Sequence, residues 1–147
     1  VSTRSIEPTG PWIAAALICE KVLMETNGLA SAIRILDRYI FILGPDGQPL
    51  TPAQPIFFLI TLRSGEARGS QRIKIEREDP STMRSPILET ELFFEGEDRG
   101  AQLVINGQFE PTEAGLYWYD VFLNDRRITR MPLRAIFQPQ PTIGPGG

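Results

Sequence analysis

Acidic side chains gather at Glu95, Glu97 and Asp98, and oxygen ligands crowded into one loop are what a hard cation such as calcium takes. A calcium site there needs further carboxylates from Asp46 or Glu113, and neither an EF-hand spacing nor a repeated Asp motif is present. Arg99 stands beside the same carboxylates and can pair with them, so a solvated turn is the plainer reading and no metal site is assigned. Arg34, Arg38, Arg126, Arg127, Arg130 and Arg134 form a second group, able in principle to grip a phosphate or carboxylate through bidentate contacts. At outward strand positions they read as ordinary surface charge. With 18 acidic residues in the chain, carboxylate pairs suited to glycoside hydrolysis arise by chance. The chain has no histidine, and it shows no nucleophile elbow and no glycine-rich phosphate cradle before a helix. No catalytic residue and no cofactor is assigned, and the chain reads as a non-enzyme.

The lone cysteine, Cys19, rules out an intrachain disulfide framework and reads as a small buried hydrophobe in the apolar run 13–22. A net charge of -3 has the wrong sign for phosphate backbones, so nucleic acid is not expected as a partner. No run approaches the roughly 20 apolar residues that a membrane span needs. The run after Arg4 is too short for a secretory leader and is interrupted by Glu20 and Lys21, which makes a cytoplasmic setting the expectation.

These residues must be positioned by strands. At 147 residues and 41% hydrophobic content the chain fits one domain, residues 12–138, with an arm at 1–11 and a Pro/Gly-rich tail at 139–147. Residues 13–23 contain good helix formers, but the Asn27-Gly28 turn and the Ile- and Tyr-rich run that follows make both segments strands of a hairpin. In the run 32–43 the apolar positions change face near Asp37, which predicts a bulge at Leu36-Asp37-Arg38. Residues 44–55, with four prolines, predict a long crossing between sheets. Residues 56–63 are almost wholly apolar and predict a central strand. Residues 71–78 alternate Ile73 and Ile75 with Arg72, Lys74 and Glu76, which predicts a solvated strand near an edge. About eight strands with frequent turn signals predict an all-β fold, an antiparallel β-sandwich.

The aromatic run 116–123, a turn at Asn124-Asp125 and a second run from Arg127 predict a terminal hairpin. Its entry, with Glu113, Gly115 and Tyr117, resembles the tyrosine corner of immunoglobulin-type Greek-key sandwiches, in which the tyrosine hydroxyl bonds back to upstream backbone. Tyr119 stands where antibody-type domains place their second cysteine. The segments ALICEKVL, SAIRILDRY, FEGEDRG, GLYWYDVFLND and TRMPLR together resemble an uncharacterised family of small bacterial proteins. That likeness implies a bacterial source and a single β-rich domain of unknown function, and it carries no site residues.

Side-chain parity sets the functional expectation. A three-residue loop at Asn124, Asp125 and Arg126 pairs Asp120 with Arg130, Phe122 with Ile128 and Trp118 with Pro132. The outer face then shows Trp118, Phe122, Ile128 and Pro132 around one ion pair, and exposed aromatics of this kind mark contact surfaces. The expected function is a non-catalytic interaction domain that docks a protein partner or a second copy, most simply as a two-fold homodimer. The alternative is a small-ligand or carbohydrate-binding sandwich whose end loops use Trp12, Trp118 and the tyrosines for stacking. A covering of the patch by the N-terminal arm with Trp12 is the bland outcome.

Overall fold

The structure, a computed structural model, describes residues 10–141. Nine strands follow in chain order: β1 (Trp12–Met24), β2 (Ala30–Ile35), β3 (Arg38–Leu43), β4 (Gln54–Gly65), β5 (Gly69–Glu78), β6 (Arg84–Phe94), β7 (Glu97–Phe109), β8 (Gly115–Leu123) and β9 (Arg126–Pro139). They form two sheets, ordered β2-β1-β4-β7 and β3-β9-β8-β5-β6. No helix occurs among the described residues, and so none is long and apolar enough to cross a membrane. The expected tail begins one residue later than its predicted start, because β9 runs through Pro139. Residues 1–9 of the arm and 142–147 of the tail lie outside the described residues.

The inward faces of both sheets meet in one core. Phe58 of β4 lies 4.8 Å, ring to ring, from Tyr119 of β8, so an aromatic contact spans the two sheets. Phe109 stacks edge-on against Tyr117 at 5.2 Å and against Phe41 at 5.8 Å, closing one end. β1 is a strand in spite of its helix-forming alanines, because it pairs with β4 on one side and β2 on the other, and ladder and burial outweigh propensity.

Three sequence expectations change. The run 32–43 is two strands rather than one bulged strand: β2 lies on β1, and the chain changes sheets at Leu36-Asp37 to give β3. The parity switch near Asp37 is the mark of that crossing. β3 is parallel to β9, against the expected antiparallel rule, because it enters from the other sheet and no tight turn dictates its direction. β5 is interior, between β8 and β6, so its outward charges do not guard an edge. Residues 44–53 do cross between sheets, from β3 to β4.

The β1–β2 hairpin does not extend its sheet in a plane. From Trp12 to Cys19, β1 runs along β4 from Arg63 to Phe57, and continued straight it would carry Met24 away from the Arg63 end. Yet Gln102, level with Thr61 on β4, places Nε2 3.7 Å from Met24 Sδ. Gly28, Leu29 and Ala30 likewise line a cavity with Thr61, Arg63 and Gln102. The hairpin therefore turns back beyond Cys19 and lies over the outer face of its own sheet. Cys19 and Leu59, which point away from the core, are buried for this reason. Burial pushes the Cys19 thiol pKa up, in keeping with an inert packing role.

Candidate functional site

The outer face of the five-stranded sheet is built around Asp120, whose side chain is 0% exposed. Arg130 Nε donates to its Oδ1 at 2.6 Å, as the expected pairing requires, and Arg130 lies directly opposite on β9. Arg84 Nη2, from β6, stands 3.0 Å from Oδ2 and Arg127 Nη1 stands 3.8 Å from it, but neither is aligned to donate a hydrogen bond to that oxygen. Glu76 and Glu78 of β5 complete the network: Glu76 accepts from Arg84 at 2.8 Å, and Glu78 accepts from Arg130 at 3.1 Å and Arg84 at 3.2 Å. Hydrogen bonding from Arg84 holds the Glu76 carboxyl below its usual range, and the Asp120 carboxylate holds Arg130 above its own.

The aromatics of this face are interleaved with cations. The Arg130 guanidinium sits 4.5 Å from the Trp118 ring centroid, and Phe122 lies between Lys74 at 5.1 Å and Arg84 at 5.8 Å. Both rings are half-buried. Pro132 is exposed and opposite Trp118, as expected. Ile128 is not on this face. Asn124 and Asp125 both take positive φ, 47° and 68°, and make a two-residue turn of the kind that suits strand twist. A register shift between Val121 and Phe122 then sets Phe122 opposite Arg127, and Ile128 becomes the extra residue, packed against the core.

An apolar strip continues past Trp118 away from the ion pairs. Phe41, Tyr117 and Ala135 are buried in the core, so by alternation Ile40, Leu116 and Ile136 point outward. Ile40 lies opposite Ile136, Leu116 lies opposite Arg134, and Trp118 lies opposite Pro132. Sequence parity assigned Trp118 and Pro132 to this strip. The part contributed by Ile40 escaped it, because β3 reaches β9 only through the change of sheet.

The corner forms as expected. The Tyr117 hydroxyl donates to the Glu113 carbonyl at 2.8 Å and accepts from the Glu113 N–H at 3.3 Å. Gly115 has φ 138°, and a Cβ there would stand 2.8 Å from Pro80 Cγ. Replacing Tyr117 with phenylalanine should lower stability by about 1 kcal/mol while the ring packing survives. An unchanged unfolding midpoint would show that the two hydrogen bonds contribute nothing. Arg77, overlooked in sequence although strict alternation puts it beside Ile73 and Ile75 on the inner face, reaches over the Tyr117 ring at 5.3 Å. Burial pushes the neighbouring Tyr119 phenol up to about 12, with Arg77 opposing that rise.

The acidic turn is occupied by cations of the chain itself: Arg99 pairs with Glu95 at 3.2 Å and Arg68 with Glu97 at 3.7 Å. No cluster of three metal-ligating side chains occurs among the described residues. Trp12 packs against Gly65 and lines a cavity with Arg126, Arg127 and Ile128 that does not include Trp118. A cavity of about 560 Å3 opens between Phe41, Pro49, Leu50, Pro52, Glu110 and Thr112. Neither tryptophan lines it, since Trp118 is on the outer face of the five-stranded sheet and Trp12 pairs with Arg63 at the far end of β4.

No family model matches the chain, so the suggested membership of an uncharacterised bacterial family gains no support there, and no curated protein matches it either. Solved structures similar to this chain at low identity include two from Pseudomonas species. One is an alkylpurine DNA glycosylase from Pseudomonas fluorescens bound to DNA containing an abasic-site analogue, at 13% identity, with 65% of this chain and 27% of that chain covered and a TM-score of 0.40. The other is an immunoglobulin-like protein from Pseudomonas aeruginosa, at 14% identity, with 86% and 96% covered and a TM-score of 0.39. This chain thus spans about a quarter of the length of the glycosylase chain. Likeness at this level carries no argument about function.

Proposed function

We propose that this chain is a non-catalytic interaction domain, a β-sandwich of immunoglobulin-like, Greek-key winding that contacts protein through the outer face of its five-stranded sheet. The observation that carries the reading is the strip formed by Ile40, Ile136, Leu116, Trp118 and Pro132. Its outward apolar groups adjoin a carboxylate–guanidinium network whose charges are already matched, so covering the strip leaves no network charge stranded. The simplest occupant is a second copy related by a two-fold axis, which applies one self-complementary patch twice. The alternative of a ligand held by end loops is less favoured: the cavity between Phe41, Leu50 and Glu110 has no tryptophan to stack on a sugar ring, and Trp12, which lines a second cavity with Arg126 and Arg127, is packed against Gly65.

Light scattering of the chain alone should report a mass above that of the monomer. Replacing Ile40 and Trp118 together with glutamate should remove this contact and leave the far-UV spectrum unchanged. A wild-type chain that stays monomeric at high concentration would overturn self-association through this face.

A further inference from the structure

Among the described residues the two sheets have four edges without a neighbouring strand, and an edge strand is a template for another strand unless something guards it. β3 is capped by its own following loop: Leu50 N donates to the Ile42 carbonyl at 2.7 Å, and Ile42 N donates to Thr51 Oγ1 at 2.8 Å. β6 carries Arg84, Pro86, Glu89 and Glu91, and β7 carries Glu97, Asp98 and Arg99 with a mostly polar outward set beyond them. β2, of sequence ASAIRI, has no proline and one charge, and that charge, Arg34, is tied to Glu20 at 2.9 Å. Arg34 has φ 56° and kinks only the end of the strand, so Ala30 to Ile33 stays regular.

Apolar exposure concentrates at the same place. Ile35 is 65% exposed and Leu29 64%, with Met24, Ile33 and Leu23 also exposed on the hairpin. Groups like these, beside unpaired backbone, point to a covering strand. The charges point to what covers it. Residues 20–35 hold Glu20, Lys21, Glu25 and Arg34, two of each sign. Glu25 is held at the start of β2 by the Ser31 hydroxyl at 3.2 Å, whereas Arg34 stands at its end. Antiparallel pairing of two β2 strands brings the start of each beside the end of the other, and so brings the Glu25 of each copy towards the Arg34 of the other.

We propose that the free edge of β2 is a second contact site, pairing antiparallel with β2 of a second copy across a two-fold axis. It is independent of the face carrying Trp118. Two different two-fold contacts on one chain extend association beyond a dimer, to a closed tetramer or an open chain. The test follows mass by light scattering and β2 amide exchange as the full chain is diluted. In the unaltered chain the amides of residues 30–35 that point away from β1 should be protected at high concentration and should lose protection on dilution. Ile35→Lys, and separately Ile33→Lys, should abolish this protection and reduce the assembly to a dimer, while Ile40→Glu with Trp118→Glu should leave it in place. Protection that is absent, or that persists in a monomer, overturns the proposal. So does an unchanged mass in a folded Ile35→Lys variant. Loss of mass in the Ile40/Trp118 variant alone overturns the β2 contact and leaves the contact through Trp118 standing.

Discussion

Replacing Phe58 with alanine is expected to lower the unfolding free energy by about 4 kcal/mol. The ring sits on the inner face of β4, between Ile18 of β1 and Ile105 of β7 in the ladder, and meets Tyr119 of the other sheet at 4.8 Å. Its removal costs the transfer of the benzyl group and leaves a cavity whose walls are fixed in two hydrogen-bonded sheets, so little relaxation can refill it. Urea denaturation reads the effect as a lower midpoint at unchanged slope. Phe58→Leu, which keeps most of the volume, should cost under about 1.5 kcal/mol. A loss that small for the alanine variant would mean that the two sheets do not share a core at this point.

The second large effect is expected at Asp120. Asparagine keeps the shape but removes the charge, and it can turn an amide donor towards guanidinium donors of Arg130 and Arg84. Breaking a fully buried ion pair costs roughly 3–5 kcal/mol. The arginines are partly exposed and retain Glu76 and Glu78, which sets the expectation near the lower end, about 3 kcal/mol. Replacing both partners, Asp120→Leu with Arg130→Met, should recover most of that loss, because no unpaired charge stays buried. If the double variant is less stable than Asp120→Asn, the network stabilises the fold by more than the relief of a stranded charge.

Short-range periodicity was legible throughout. Alternation in β5 showed which side chains face the core, and Asn-Gly and Asn-Asp marked two turns, because a period of two and a positive φ are properties of a few consecutive residues. The corner of Glu113, Gly115 and Tyr117 belongs to the same class, since its hydrogen bonds close over four residues. The sequence by itself therefore determined an all-β chain, most of its inward faces, and the pairing of Asp120 with Arg130. What it left open were relations between distant segments. The parity change at Asp37 is compatible with a bulge or a change of sheet, and only the pairing of β3 with β9 decides between them. A one-residue shift beyond Val121 moved Ile128 inward, and nothing local distinguishes a two-residue turn plus a bulge from a three-residue loop. Asp120 reads as half of an exposed pair, yet it is buried because Arg84 arrives from β6, two strands away. Burial and charge pairing depend on which strands become neighbours, and that was decided by the summed packing of the whole core rather than by any single stretch.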